Sequence, residues 1–151
     1  MHGDESRDTL LARFRESGKA ILLGTASFWE GVDVPGDALR GLVIAKLPFR
    51  VPTEPVTAAQ CEAIEARGGD PFVEYMLPHA SLRLKQGFGR LIRTGTDRGV
   101  VVIADPRIVT KRYGRGLLEA LPPAKRQIGR WDALATRVRE FFAAGVTFHD
   151  A

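Results

Sequence analysis

A chain of 151 residues, 44% of them hydrophobic, is long enough for one domain with a real core. Its formal net charge of +4 suits an acidic partner such as nucleic acid. The sequence has no apolar run of membrane-spanning length, and we expect a cytoplasmic protein without a membrane partner. Its single cysteine, Cys61, excludes both an internal disulfide framework and a self-contained iron–sulfur cluster, which needs about four thiolates.

The first part of the chain predicts a helix followed by a strand. Ser6 is placed to cap the helix, and Gly18 is placed to end it. The apolar run at 20–24 is typical of a buried strand in a parallel sheet.

The loop after this run collects polar side chains. Ser27 and Glu30 have the spacing of a capping box, which predicts a short helical turn, and Thr25 and Asp33 lie on either side of it. Open α/β sheets bind their ligands at the carboxyl ends of strands, where this loop is expected. Asp33 could equally cap the turn before Pro35.

The middle of the chain predicts a second strand at 42–45 and a helix from about Pro55 to Arg67. Prolines between them favour extended backbone. The helix is predicted to end at Gly68, and the residues predicted to face inward are Val56, Ala59, Ala63 and Ile64.

Two proline-led helices and a third strand follow. Asp70 and Pro71 predict the start of a short helix, and Pro78 predicts the start of a helix over 79–93. The third strand is predicted at 100–104, and Asp105 after it could cap or bind. Two further helices are predicted, one carrying Tyr113, Leu117 and Leu121, and one at about 131–144 carrying Trp131, Leu134, Ala135, Val138 and Phe142.

Strands separated by helices predict an α/β fold with a parallel sheet. We expect a single domain over 1–151, with its core at about 6–123.

The helix over 79–93 is predicted to have two opposed faces. Gln86, Arg90 and Arg93 share one stripe, with Arg83 beside it. The apolar side chains on the other side are Leu84, Phe88, Leu91 and Ile92. Arginine's planar fork suits phosphate oxygens, although a basic helix face can also be merely solvated.

Gly87 and Gly89 lie between these faces, and each costs about 1 kcal/mol relative to alanine inside a helix. Two such residues within one turn suggest that something bulky approaches the backbone there.

Two segments together resemble a known family. GTASFWEGVDVPG at 24–36 and QGFGRLIRTGTDRGVVVIADPR at 86–107 are similar to motifs V and VI of superfamily 2 helicases, in the form found in the DinG and XPD-like DNA helicases. KLPFRVPTEP at 46–55 and TKRYGRGLLEALPP at 110–123 are also similar to DinG-type sequence. The resemblance covers most of the chain and implies the second RecA-like motor domain of such a helicase.

The resemblance implies two groups of site residues. ATP, with Mg²⁺, would lie between two RecA-like domains, Gln86, Arg90 and Arg93 would be catalytic, and the nucleotide contacts would come from Gly31, Asp33, Gln86, Gly89, Arg90 and Arg93. Single-stranded DNA would be contacted by Thr25, Ser27, Trp29, Lys111 and Arg112. From the residues alone, Trp29 and its neighbour Phe28 could stack on a base or pack in the core, and Lys111 and Arg112 could track phosphates or be solvated.

The chain has no G-x-x-x-x-G-K-[ST] phosphate-binding loop. In the family that it resembles, this loop and the magnesium ligands belong to the first motor domain. We therefore expect the C-terminal half of an ATP-dependent DNA helicase that moves 5′ to 3′ in DNA repair or replication, its sheet lacking a first strand or strands. It would partner the first motor domain in cis or in trans and be inactive alone; a non-enzymatic nucleic-acid-binding remnant is the alternative.

Overall fold

The structure, a computed structural model, describes residues 6–25, 28, 34, 38–92 and 98–144. Strands β1 (Gly41–Ile44) and β2 (Val100–Ile103) pair in parallel, with Gly41 beside Val100 and Ile44 beside Ile103. The helices are α1 (Arg7–Ser17), α2 (Pro55–Ala66), α3 (Leu77–Leu91), α4 (Arg107–Thr110), α5 (Arg112–Glu119) and α6 (Trp131–Ala143), and a π-helical turn (Phe72–Met76) precedes α3. The predicted α/β fold with a parallel sheet is confirmed.

The main core lies between the two strands and helices α3, α4 and α5. Leu84 of α3 and Leu117 of α5 are its most deeply buried leucines, and α3 contacts both strands. The buried members of this core are Ile44, Leu47, Leu84, Ile108, Leu117 and Leu121. Each such side chain contributes about 1.5–3 kcal/mol by leaving water, so the packing holds α3 in one orientation against the sheet.

A buried carboxylate joins the ends of the two strands. Asp105, which is 4% exposed, accepts a hydrogen bond from the backbone N–H of Leu47 at 2.8 Å. It also accepts from the backbone N–H of Arg107 at 3.0 Å and from the Arg107 guanidinium, whose Nη2 lies 2.6 Å away. The Arg107 side chain, followed by these backbone donors, holds the pKa of Asp105 well below its ordinary range. Asp105 was predicted either to cap or to bind a ligand. In the structure its carboxylate accepts from the backbone N–H at the start of α4, which is the capping role.

Helix α1 forms as predicted, with a separate small core. The Ser6 side chain accepts from the backbone N–H of Thr9, and Gly18 ends the helix at φ 63°, in the left-handed region that glycine tolerates. Leu11 of α1 and Val34 are buried together, and Phe14, Leu22, Phe28, Ala38 and Leu39 pack around them.

The strand predicted at 20–24 is wrong, since residues 20–25 form no strand in the structure. Leu22 packs on the α1 cluster, whereas Ile21 and Leu23 are each 88% exposed. An apolar run becomes a strand only when a neighbour completes its hydrogen-bond ladder, and the described sheet contains β1 and β2 alone. β1 is also less buried than predicted, because Val43 points away from the helices and is 67% exposed.

Helix α2 has the predicted range but a different inward face. Thr57 and Ile64 are buried, whereas Val56, Ala59 and Ala63 are exposed. Small alanines fit either face, so the prediction was wrong except at Ile64. The polar Thr57 is tolerated inside because its hydroxyl reaches Glu54 at 3.5 Å.

The two proline-led helices form one continuous helical run. Asp70 begins it, with its Oδ1 accepting from the backbone N–H of Phe72 at 2.8 Å. The π turn follows, in which the Leu77 N–H donates to the Phe72 carbonyl five residues back. Pro78 therefore does not begin a separate helix; it lies just after a widened turn that can accommodate a residue without an N–H.

Replacing Asp105 with alanine should cost about 3 kcal/mol of unfolding free energy, because the Leu47 N–H and the Arg107 guanidinium lose a buried partner. Urea unfolding would measure the loss. The folded pKa of Asp105 lies below its unfolded value of about 4, so its contribution is complete above about pH 4 and is lost as the pH falls below that.

The stability of the unmodified chain should therefore fall more steeply in acid than that of Asp105→Asn. Asp132→Asn, at an exposed position on α6, is the matched control. Equal acid sensitivity of Asp105→Asn and the unmodified chain would contradict the structural role of this carboxylate.

Candidate functional site

Helix α3 has the two faces that the sequence predicts. Its buried residues, Ala80, Leu84, Gly87 and Leu91, follow each other at helical spacing along one side. Gln86 is exposed and Arg90 is half-buried, and neither belongs to this buried stripe. Because the opposite side is fixed in the core, packing sets the direction in which the polar side of α3 faces.

The carboxyl end of α3 comes two residues before the predicted one. Helix α3 ends at Leu91, and Ile92 has an extended conformation with φ −115° and ψ 111°. Arg93 lies outside the described residues. Gln86 and Arg90 remain one turn apart, about 6 Å along the axis, so an amide and a guanidinium can reach one anion.

The two glycines of α3 have different roles. Gly87 is buried in the core stripe and not between the faces as predicted. Gly89 is exposed, and a Cβ built there would meet no other part of the described residues within 4 Å beyond its own stretch of helix. The helix backbone at Gly89, beside Arg90, is therefore open to close approach.

The carboxyl end of α3 packs on the start of β2. A Cβ at Gly99 would come within 2.6 Å of the Leu91 side chain, so these two residues fit only because position 99 is glycine. This contact places Arg90 near the amino ends of the strands, away from Asp105, whereas the sequence suggested ligand binding at the carboxyl edge.

A second basic region lies where α4 meets α5. Gly114 allows the two helices to touch, since a Cβ there would lie 2.1 Å from the carbonyl oxygen of Ile108. Lys111 and Arg112 lie at this junction and are both exposed. The structure thus brings together the two basic residues predicted to contact nucleic acid.

A groove of about 570 Å³ runs along this junction. Arg115 and Arg126 add positive charge to it, and Glu119, which pairs with Arg115 at 2.8 Å, is its one acidic lining residue. The Arg126 guanidinium donates to the carbonyl of Leu118 at 2.7 Å, which fixes the extended segment after α5 against the groove. Sequence reasoning missed Arg126, because nothing local connects position 126 with α5.

The loop at 24–36, predicted to contact both nucleotide and DNA, is described only in part. Thr25 is exposed, and its carbonyl accepts from the Phe28 N–H at 3.0 Å. Phe28 packs on the α1 cluster, so it belongs to a core and not to a base-stacking surface. The remaining predicted site residues of this loop, Ser27, Trp29, Gly31 and Asp33, lie outside the described residues.

Comparison with known proteins identifies the family. The helicase C-terminal domain family matches residues 1–124 of this chain. The chain belongs to this family.

Three relatives show which branch of the family this domain is similar to. It is 52% identical over 126 residues to the ATP-dependent DNA helicase YoaA of Escherichia coli, covering 83% of this chain and 20% of that protein. It is 51% identical over 132 residues to the ATP-dependent DNA helicase DinG of Photobacterium profundum, covering 85% of this chain and 19% of that protein. The 3′-5′ exonuclease DinG of Bacillus subtilis is 50% identical over 113 residues, covering 75% of this chain and 12% of that protein.

The helicase domain thus spans about a fifth of the length of YoaA. Its resemblance to DinG-type helicases is confirmed, and so is its RecA-like fold class.

An aromatic cluster of this helicase domain was not found from the sequence. The Phe49 and Phe72 rings stack at 5.7 Å, and Tyr113 contacts both, at 5.6 and 5.2 Å. The Arg107 guanidinium lies 5.5 Å from the centre of the Phe49 ring. The cluster lies at the carboxyl edge of the sheet because Phe49 follows β1 and Arg107 follows β2. Three aromatic residues far apart in sequence gave no periodic signal.

Within the described ranges, no group of three or more His, Cys, Asp or Glu side chains could hold a metal ion. No helix among those residues has the length and apolarity needed to cross a bilayer.

The groove between α4 and α5 gives a salt-dependent prediction. Lys111→Gln combined with Arg112→Gln should weaken binding of single-stranded oligonucleotides and should lower the slope of log affinity against log salt by about 1.4, since each lost phosphate contact removes about 0.7. Fluorescence anisotropy over a salt series would measure both. Arg137→Gln with Arg139→Gln removes the same charge from the exposed side of α6 and should leave the slope unchanged. Equal slopes for both double variants would mean that the groove is only a solvated surface.

Proposed function

We propose that this domain is the second motor domain of a DinG-type ATP-dependent DNA helicase. Membership of the helicase C-terminal domain family and the names of the YoaA and DinG relatives support the assignment. The observation that carries the proposal is the fixed polar side of α3, on which Gln86, Gly89 and Arg90 occur within two turns opposite a completely buried Leu84.

In the proposed mechanism, ATP lies between this domain and a first motor domain. Gln86 contacts the γ-phosphate or the attacking water, and Arg90, with Arg93, stabilises the charge that develops as the γ-phosphate departs. Phosphoryl transfer depends on positioning and charge stabilisation, and an arginine supplied in this way can raise the rate by ~10³–10⁵.

The open backbone at Gly89 fits this role. A phosphate group can come close to a helix only where no side chain stands in the way, and among the described residues nothing outside the helix itself lies within 4 Å of the position of a Cβ at Gly89. Retaining glycine there costs the helix about 1 kcal/mol relative to alanine. We propose that this cost is offset by nucleotide binding, with Gly31 and Asp33 completing the nucleotide contacts.

Single-stranded DNA is the proposed second substrate. Lys111 and Arg112 contact its phosphates in the groove between α4 and α5, and Thr25, Ser27 and Trp29 contact it from the loop at 24–36. An open groove with four basic side chains and one acidic one suits a polyanion. On the resemblance to DinG-type helicases alone, we propose translocation 5′ to 3′ and a role in DNA repair or replication.

The proposal assigns Mg²⁺ to the first motor domain, on the resemblance alone. Among the described residues of this chain, no group of three or more His, Cys, Asp or Glu side chains could hold a metal ion. A non-enzymatic nucleic-acid-binding remnant is the alternative, and the basic groove would serve it equally well. ATP hydrolysis by the assembled motor distinguishes the two.

The 151-residue chain by itself should show no DNA-stimulated ATP hydrolysis, because the phosphate-binding loop is absent from its sequence. A coupled ATPase assay with and without oligonucleotide would test this. Turnover that survives repurification and that Arg90→Ala abolishes would overturn the two-domain proposal.

In the presence of the first motor domain, in the longer protein or supplied in trans, Arg90→Ala and Arg93→Ala should each lower kcat by at least about 10³. KM should change less, since the lost interaction matters mainly in the transition state. Arg90→Lys should recover little activity, because a compact ammonium cannot make a two-pronged contact.

Lys85→Ala is the matched control, because Lys85 is an exposed cation on α3 next to Gln86. It should leave kcat unchanged, and thermal unfolding should confirm that the Arg90 variants remain folded. If Arg90→Ala kept normal turnover but lost oligonucleotide binding, the polar side of α3 would face nucleic acid and the catalytic assignment would be wrong.

A further inference from the structure

A second group of basic side chains lies at the other end of α3, where the mechanism proposed above places no ligand. Its members are Arg50, from the segment after β1, and His79 and Arg83, one turn apart on α3. Arg83 lies three residues before Gln86 on the same side of the helix, about 4.5 Å along the axis, so this group continues the Gln86–Arg90 stripe toward the start of α3.

Contacts with Tyr75 hold this group together. The His79 ring meets the Tyr75 ring edge-on with centroids 4.4 Å apart, and the Arg50 guanidinium lies 5.9 Å from the centre of the Tyr75 ring. Tyr75 thus contacts both Arg50 and His79. All three side chains are half-buried, which strengthens their electrostatic interactions relative to those of a fully solvated surface.

The charges in this group are all of one sign. Burial lowers the pKa of His79 below its ordinary value, and the positive charges of Arg50 and Arg83 lower it further. Glu74, the acidic residue of the π turn, is paired instead with Arg67 and accepts from the backbone N–H of Asp70. Both guanidiniums therefore lie close enough to one imidazole to oppose its protonation, so their donors can converge on one anion.

Arg50 supplies an observation independent of charge. Its Nε is buried and has no hydrogen-bond partner among the described residues. Leaving a buried donor unsatisfied costs about 1–3 kcal/mol, and more when the group is charged. A ligand with acceptor oxygens would satisfy this N–H.

We propose that Arg50, His79 and Arg83 form a phosphate-binding site that adjoins the Gln86–Arg90 stripe at the start of α3. Planar guanidiniums match the spacing of phosphate oxygens, and an imidazole can donate a further hydrogen bond. The phosphate can be a backbone group of a polynucleotide or part of a nucleotide. The Phe72 ring, three residues before Tyr75, stacks on Phe49 yet is still 38% exposed, and we favour the polynucleotide because a base can extend this stack.

His79 is a convenient reporter for the test, which involves no ATP hydrolysis and therefore stands or falls separately from the proposed motor function. The imidazole signals of the ¹⁵N-labelled 151-residue chain would be assigned with His79→Gln. Inorganic phosphate, added at constant ionic strength against chloride, should shift the His79 signals and raise the pKa of His79, because a bound anion favours the charged ring. Arg50→Gln and Arg83→Gln should each weaken this response about tenfold. Arg139→Gln on α6 should leave it unchanged.

Two further titrations identify the source of the phosphate. An oligothymidylate without terminal phosphates should shift the His79 signals, and Arg50→Gln should lower the salt slope of its binding by about 0.7. A response to ATP but not to the oligothymidylate would support the site and assign it to a nucleotide. Unchanged His79 signals with phosphate, oligothymidylate and ATP, or an undiminished response in both folded arginine variants, would overturn the proposal. Circular dichroism would verify the folding of each variant.

Discussion

The hydrogen bonds of Asp105 are the constraint on which the geometry of this domain depends. Two parallel strands of four residues each have few ladder bonds, and such a pair is marginal unless its ends are held. Asp105 holds them by accepting from Leu47, beyond β1, while its own backbone continues from β2. The same carboxylate orients Arg107 at the start of α4, so the position of the α4–α5 groove follows from one buried charge. Charge pairing with Arg107 makes the burial of this carboxylate tolerable.

The elements that could be predicted from the sequence are those whose signals are local. Ser6 and Gly18 bound α1, Asp70 caps the helical run before α3, and the Leu84–Leu91 spacing identifies the buried side of that helix. Signals that depend on a distant partner failed. An apolar run at 20–24 predicts a strand, but strand formation needs a neighbour that the run itself does not specify. Alanines in α2 gave no preference between its two sides.

The candidate sites divide in the same way. Gln86, Gly89 and Arg90 could be placed because one helix carries them, and Lys111 and Arg112 because they adjoin in sequence. Arg126 and Arg50 could not be placed from the sequence, since each reaches its site from a segment that has no periodic pattern. The catalytic and DNA-binding roles of these residues remain predictions, because the position of a side chain shows where a ligand can bind and does not identify the ligand or its reaction.

The π turn before α3 has a consequence for how related sequences are compared. A π turn contains one residue more than an α-helical turn. This additional residue rotates the helix that follows by about 100° relative to the chain that precedes it. A single residue inserted or deleted between Phe72 and Met76 would therefore rotate Tyr75 away from His79. The contact of Tyr75 with Arg50 would be lost as well, even if every side chain were retained. In an alignment of helicase domains, a gap at this place would turn Tyr75 away from the surface of α3, which its own buried side holds in place, whereas a gap in the exposed turn after α2 would leave the two in register.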